Sequence, residues 1–287
     1  MPQPTVPTPA LTQQRSILVT GCSSGIGAWC ARALRDDGWR VFATARNPED
    51  VAALAADRFE AFLIDYRDHA TFAPALDAIL GATGGTLDAL FNNGGYAQAG
   101  AVEDMPVDAL RAQFETNVFG WHELTRRVVP VMRAQGHGRI VFNSSVLGRI
   151  PVRWRGAYSA SKHAIEALAQ TMAYELADTG IHISLIEPGP ITSKIASNGL
   201  AHFEANIDVD HSPHREAYQG QLARLRQGGV KSRFKLEPDA VHAVLTHALN
   251  ARQPRMHYPV TLPAKISMLL RRLLPSSLYH RLMAGYQ

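Results

Sequence analysis

Cysteine is scarce in this chain: Cys22 and Cys30 are the only two among 287 residues. That excludes a disulfide framework and fits reduced packing residues in a cytoplasmic setting. No uninterrupted apolar stretch approaches the roughly 18 residues of a membrane-spanning helix. Neither sign of charge dominates, with 29 Lys and Arg against 25 Asp and Glu scattered among one another, which argues against nucleic acid as a partner. No internal repeat or dividing linker is present. The opening Met1 to Gln14 has no charge and no apolar run, only prolines at 2, 4, 7 and 9, so residues 1–14 read as a disordered or extended leader. It lacks the basic start and hydrophobic centre of a signal peptide.

What is present is a core-forming chain, 46% hydrophobic and 19% charged, enough for one large domain. Short apolar runs alternate with helix-period segments, the pattern of βαβ units. Strands are expected at Ser16 to Thr20, Arg40 to Ala45, Ala61 to Ile64, Leu87 to Phe91, Arg139 to Asn143 and Ile181 to Ile186, with another near Arg255 to Tyr258. They lack clean alternation, as strands covered on both faces do. Helices are expected at Ile26 to Asp37, Asp68 to Leu80, Val107 to Arg133 and Ala157 to Thr179, with Pro130 kinking or ending the third. The fold class is therefore α/β, a single doubly wound parallel sheet flanked by helices. Residues 15–260 hold this domain and 261–287 a helical tail. After Pro188 the chain turns irregular up to about Leu236, a length that suggests a lid or pocket wall.

Two constellations carry chemistry. The first strand runs into Thr20-Gly-Cys-Ser-Ser-Gly-Ile-Gly27 and then a helix. Glycines 21, 25 and 27 permit a tight turn and close backbone approach, and the helix start offers unpaired N–H groups to a pyrophosphate. Later, Tyr158 and Lys162 stand one helical turn apart on one face. A free phenol ionises at about 10 and a lysine at about 10.4, and a held ammonium favours the phenolate. The plain alternative is a packed ring beside a solvated ammonium.

The spacing Gly-x-x-x-Gly-x-Gly together with Tyr-x-x-x-Lys resembles the short-chain dehydrogenase/reductase family, in register over roughly Ser16 to Ser193. The matching elements are the glycine loop, Asp65, Asn92-Asn-Gly-Gly95, Asn117, Ser145, Tyr158 with Lys162, and Pro188-Gly-Pro-Ile-Thr-Ser193. Gly94 stands where the family usually has alanine, which is expected to loosen the turn, and Ser193 where threonine is common. The resemblance implies a Rossmann fold and hydride transfer with a nicotinamide cofactor. Tyr158 would pass the proton to or from the substrate oxygen, and Ser145 would hold that oxygen. Lys162 would lower the Tyr158 pKa and bond the nicotinamide ribose, and Asn117 would position a water feeding protons to the lysine. Cofactor contacts would come from Gly21, Ser23, Ser24, Gly25, Ile26, Gly27, Arg46, Asp65, Asn93, Gly94, Pro188, Gly189, Ile191 and Ser193 besides Tyr158 and Lys162.

The second strand ends Ala45-Arg46, where NAD-specific members present an acidic residue. Arg46 can pair with a 2′-phosphate, so NADP (NADPH) is favoured over NAD, the alternative being a solvated loop charge. Expected pocket walls are Tyr96 to Ala99, Val146 to Trp154, Ile195, Leu200, Phe203, Ile207 and Tyr218, mostly apolar. They suit a hydrophobic carbonyl or alcohol: a long aldehyde, a retinal-like molecule or a steroid ketone. Within the family, Val41 to Arg46, Asn92 to Met105 and Ile186 to Ile191 look most like the hydroxysteroid (17-beta) and retinol dehydrogenase group and its bacterial aldehyde-reductase relatives. Pro254 to Val260 and the basic-apolar tail are also similar to those reductases. The same residues would serve an alcohol dehydrogenase running oxidatively, while a non-catalytic NADP-sensing protein would typically lack the tyrosine or lysine. His202, His211 and His214 read as loop residues rather than metal ligands. The tail, with Arg271 and Arg272 among leucines, is a docked helix or a weak membrane-surface contact. The resemblance also implies a homodimer or homotetramer assembled through the two long helices.

Overall fold

The computed structural model describes residues 14–226 and 233–285. Nearly all of the expected leader lies outside the described residues. Seven strands, β1 (Ser16–Val19), β2 (Arg40–Ala45), β3 (Glu60–Leu63), β4 (Ala89–Asn92), β5 (Gly138–Asn143), β6 (Ile181–Glu187) and β7 (His257–Pro259), form one sheet in the order 3-2-1-4-5-6-7, every pairing parallel. Because β1 continues to β2 on one side and the chain later returns to β4 on the other, the order reverses between β1 and β4. A crevice opens there beyond the strands' carboxyl ends.

Alternate side chains of β1 point to opposite faces. Ile17 and Val19 join a core with Cys30, Leu34, Val41, Val241 and Leu245, so helices α1 (Gly25–Asp36) and α9 (Asp239–Asn250) cover that face. Leu18 joins Phe72, Ile79, Trp121, Leu124 and Ile165 on the other, under α3 (Phe72–Thr83), α5 (Gly120–Gln135) and α6 (Gly156–Glu175). Burial on both faces explains why the strands show apolar runs without alternation.

Four expectations need correction. Helix α2 (Pro48–Ala56) fills the gap between β2 and β3 where no element was expected; Pro48 at its start and Glu49 and Asp50 in its first turn are its signals. Pro130 neither ends nor visibly breaks α5, which runs on to Gln135. It sits on the exposed face, so the Arg126 carbonyl that loses an amide partner is left to water. The expected Val107 to Arg133 helix is divided into α4 (Val107–Phe114) and α5 by a π-helical turn at Glu115–Phe119. The stretch after Pro188 is ordered as two helices, α7 (Ile195–Asn206) and α8 (Arg215–Arg226), followed after 233 by an extended link into α9. Beyond β7, α10 (Leu262–Leu273) and α11 (Ser276–Gly285) form the tail, α10 being capped by Thr261 Oγ1, which accepts from Ala264 N.

Candidate active site

The glycine loop lies at the carboxyl end of β1, in the crevice. Gly21 and Gly25 hold φ of +69° and +58°, the left-handed region that favours glycine. At Gly27 a Cβ would stand 2.2 Å from the Gly21 carbonyl oxygen and 2.5 Å from Asn93 Nδ2. Only hydrogen fits there, which brings the start of α1 against the loop. Ser24 is the N-cap residue, yet its side chain makes no capping bond, and the first turn has no acidic residue. The first amides of α1, those of Gly25, Ile26 and Gly27, are thus available to an anion. Ser23 and Arg46 are both exposed at this rim. This cradle fits a dinucleotide pyrophosphate.

The turn after β4 is pinned rather than loosened by Gly94. Its amide donates to Thr20 Oγ1 at 3.2 Å, and its carbonyl accepts from Trp121 Nε1 at 2.6 Å. A Cβ would lie 3.2 Å from the Tyr66 ring, so here alanine would be the tighter residue. Asn93 spends its side chain on structure, donating to the Thr20 carbonyl at 2.9 Å and accepting from Asn143 Nδ2 at 2.8 Å. Asp65 is half-buried with Oδ1 accepting the Arg67 amide at 3.0 Å. On the other side of the crevice, the Pro188 carbonyl accepts from Val146 N, and Gly189 packs on Thr261, whose Oγ1 would be 2.1 Å from a Cβ. Ile191 pairs with Leu236, and the Ser193 Cβ stands 3.2 Å from where Gly25 would carry one. The segment 188–193 therefore closes against the glycine loop, bringing the two expected cofactor-facing stretches together.

Tyr158, Ser145, Lys162 and Asn117 are all buried, at 7%, 7%, 3% and 0% exposure. Ser145 caps the short 3-10 turn after β5, its Oγ accepting the Leu147 amide at 3.1 Å. Burial pushes the Tyr158 phenol up to about 12, with the Ser145 hydroxyl and the Arg155 guanidinium pulling it back. Desolvation of the phenolate outweighs these two lowering influences. Lys162 is itself lowered to about 7 by burial, against a raising influence from Glu166. Its Nζ donates to the Asn143 carbonyl at 2.8 Å and lies 4.0 Å from the Trp121 ring centroid and 5.7 Å from that of Tyr158.

Asn117 sits in the π-helical turn, a distortion frequent at functional sites. Its Oδ1 accepts from Tyr96 N at 3.2 Å, while Nδ2 donates to the Tyr96 carbonyl at 2.9 Å and to Ser161 Oγ at 3.3 Å. Gly95 permits the approach, since a Cβ there would be 2.8 Å from Asn117 Oδ1. Three further residues adjoin these candidates. Trp121 carries the ring under Lys162, Asn143 supplies its carbonyl, and Arg155 faces the phenol. Trp121 was findable, lying one turn after Asn117 on the same face; nothing local in the sequence marks the other two.

The expected pocket wall is partly a closed core. Phe203, Ile207 and Tyr218 are 3%, 6% and 0% exposed, packed with Ala99 and Ala101. Tyr218 OH donates to Asp104 Oδ2 at 2.5 Å and accepts from Ala101 N at 2.8 Å, fastening α8 to the loop after β4. Helix α7 is held by His202, stacked on Tyr96 with ring centroids 4.0 Å apart. His211 bonds Asp208 Oδ2 and His214 bonds Glu103 Oε1. An open cleft of about 750 Å³ between Val102, Trp154 and His214 contains none of the four catalytic candidates. It is an open surface cleft beside the start of α8.

The chain matches the short chain dehydrogenase family model over residues 15–202. It is 38% identical over 272 residues to the uncharacterized oxidoreductase YbbO of Escherichia coli strain K12, covering 95% of each chain. Human 17-beta-hydroxysteroid dehydrogenase type 1 is 32% identical over 85% of this chain and 77% of its own. An NADPH-dependent 3-dehydrocapnine reductase of Ornithobacterium rhinotracheale is 30% identical over 88% and 89%. Among solved structures, a short-chain dehydrogenase of Streptomyces avermitilis superposes with a TM-score of 0.76 at 28% identity, over 97% of this chain and 100% of that one. With this sheet order, these matches and the glycine-loop crevice in agreement, the chain is an oxidoreductase that belongs to the short-chain dehydrogenase/reductase family.

Proposed function

We propose that this protein is an NADP(H)-dependent oxidoreductase that transfers hydride between the nicotinamide and a hydrophobic aldehyde or ketone, with Tyr158 as the general acid/base. The observation that carries this reading is a buried phenol flanked by Ser145 and Arg155, with Lys162 inside the same pocket. At neutral pH such a phenol holds its proton, which suits an acid delivering it to a carbonyl oxygen as the carbonyl carbon is reduced. That favours reduction over the oxidative direction, in which Tyr158 must act as base.

When bound, the cofactor supplies the hydride; the residues supply placement and the proton. Ser145 would donate to the same oxygen and stabilise its developing charge. Lys162, held by Asn143 and Trp121, would turn toward the ribose and refill the phenol, with Asn117 behind it. The amides of Gly25, Ile26 and Gly27, with Gly21, Ser23 and Ser24, would hold the pyrophosphate. Asp65, Asn93 and Gly94 would border the adenosine, and Pro188, Gly189, Ile191 and Ser193 the nicotinamide. Arg46 supports NADP: it is a cation directly after Ala45, which stands where NAD-specific members have an acid, and its charge acts on Tyr96 and His202 across the mouth. The NADPH dependence in the name of the Ornithobacterium relative supports the same choice.

A hydrophobic substrate is supported by the apolar side chains that α7 and α8 bring beside the loop after β4, Phe203, Ile207 and Tyr218 among them. Dimer or tetramer assembly through α4–α5 and α6 is supported by their exposed Phe119, Leu168 and Tyr174. Membrane-surface contact by the tail is supported by Leu262, Ile266, Leu269 and Leu273, which share one exposed face of α10. Residues 262–287 carry Lys265, Arg271, Arg272 and Arg281 and no acidic residue, complementary to anionic lipid. Cys22, buried with its thiol pushed up to about 12, accords with an unreactive cysteine in a cytoplasmic protein. The deciding experiment is a panel of medium and long aldehydes, retinoids and steroid ketones assayed with NADPH and NADH. Turnover of apolar carbonyls with a clear preference for NADPH is expected; equal efficiency with both cofactors rejects the NADP assignment, and binding of NADPH without any turnover rejects catalysis.

A further inference from the structure

One turn beyond Lys162 on α6, Glu166 points into the protein at 3% exposure and meets Glu187, at the end of β6, which is fully buried. His257 at the start of β7 stands between them, with Nδ1 2.8 Å from Glu187 Oε1 and 3.7 Å from Glu166 Oε2. Glu187 Oε2 has no hydrogen-bond partner among the described residues, and the Ser144 hydroxyl lies against Glu166 and draws its pKa down. Arg149 is the other cation facing Glu166, with Nη1 3.5 Å from Oε2. The groups around Glu166 are thus Lys162 from its own helix, Glu187 from β6, His257 from β7, and Arg149 and Ser144 from the segment between β5 and α6. Two carboxylates in such a space cannot both remain ionised without strong opposition.

A metal ion is the obvious alternative occupant, since two glutamates and a histidine have their ligand atoms within 4.8 Å of one another. The geometry disfavours it. His257 and Glu187 are already in direct hydrogen-bond contact, and the Arg149 guanidinium adds a positive charge beside the third ligand. A proton needs no such space.

We propose that Glu166 is a positioning residue for the reaction: its ionisation sets the charge of Lys162, and through it the proton supply to Tyr158. The proposal rests on the reading of Lys162 given above. Burial and Glu187 lift the Glu166 carboxyl to about 7, while burial brings Lys162 down to about 7 with Glu166 opposing the fall. The two groups therefore change charge in the same range of pH. Gain of a proton by Glu166 removes the one charge that Lys162 has in its favour.

The test uses the full chain with selectively labelled lysine, read by the pH titration of the Lys162 resonance and by the carboxylic-acid band in the infrared. In Glu166→Gln the Lys162 titration is expected to fall by about one pH unit or more. The acid band is expected to shrink, and the lysine-dependent limb of the kcat profile to move by the same amount. His257→Asn, at a half-buried position, removes a group that holds the Glu166 carboxyl down and is expected to carry the acid band to higher pH. Glu166→Asp should restore part of the lysine shift. An unchanged Lys162 titration in Glu166→Gln overturns the proposal, as does stoichiometric zinc or calcium binding to the wild-type chain that the variant loses. A shifted lysine with an unmoved kcat profile leaves the coupling standing and counts against Lys162 as a working residue, so the two readings fail separately.

Discussion

Replacing Lys162 with methionine should change the sign of its effect on stability as pH rises. Burial lowers Lys162 from the ordinary lysine value of 10.5 to about 7, so keeping the ammonium buried opposes folding by about 5 kcal/mol at pH 6. For a lysine with a depressed folded pKa this opposition is complete below about 7. It fades as pH climbs toward 10.5 and is absent beyond, where both states are neutral. Methionine removes it at a similar side-chain length. Against that stand the orphaned Asn143 carbonyl, worth about 1–3 kcal/mol, and the lost contact over Trp121, worth about 0.5–2 kcal/mol. Lys162→Met should therefore be more stable than wild type by up to about 3 kcal/mol at pH 6, and less stable near pH 10.5, while losing turnover. Urea unfolding of both proteins at several pH values between these limits reads the crossing directly. Curves separated by a constant amount, with the variant weaker throughout, would refute the claim that Lys162 is held against its own desolvation.

Other outcomes follow from the same geometry. Gly27→Ala should weaken NADPH binding more than about tenfold, or unfold the loop outright, because its Cβ meets the Gly21 carbonyl and Asn93; cofactor fluorescence titration with a parallel thermal melt checks it, and unaltered affinity in a folded variant contradicts it. Arg46→Glu should shift the NADPH to NADH ratio of kcat/KM toward NADH by about two orders of magnitude through KM, as expected for loss of a charge-assisted phosphate contact replaced by repulsion. Leu269→Glu with Leu273→Glu should abolish flotation with phosphatidylglycerol vesicles and leave reduction of a small water-soluble aldehyde intact. Loss of a dimer on sedimentation, with vesicle binding unchanged, would instead make that face a protein interface.

The fold was legible because its strands are covered on both sides, and that burial leaves apolar runs which composition cannot hide. Helix α2 is faint in the sequence although Pro48, Glu49 and Asp50 mark its start; its one buried residue, Leu54, leaves almost no periodic stripe. Helices α7 and α8 were hidden for a related reason, since their buried faces meet the loop after β4 instead of the main sheet. The positions of the site were readable wherever spacing along one element sets geometry, as with Tyr158 and Lys162. Their electrostatics were not. The raised phenol and the lowered lysine are products of burial by Trp121, Asn143 and surrounding strands brought from distant sequence, and Glu187 and His257 meet Glu166 only because β6 and β7 are neighbours.

The central claim is that Tyr158 delivers the proton. Single-turnover reduction of a responsive aldehyde by Tyr158→Phe, with NADPH affinity measured alongside, tests it with least ambiguity. The phenyl ring fills the same space and keeps the Lys162 environment, so cofactor affinity should stay within a few-fold while the reduction step slows by about 10²–10⁴. A slowing of less than about tenfold with NADPH still bound would show that another group supplies the proton.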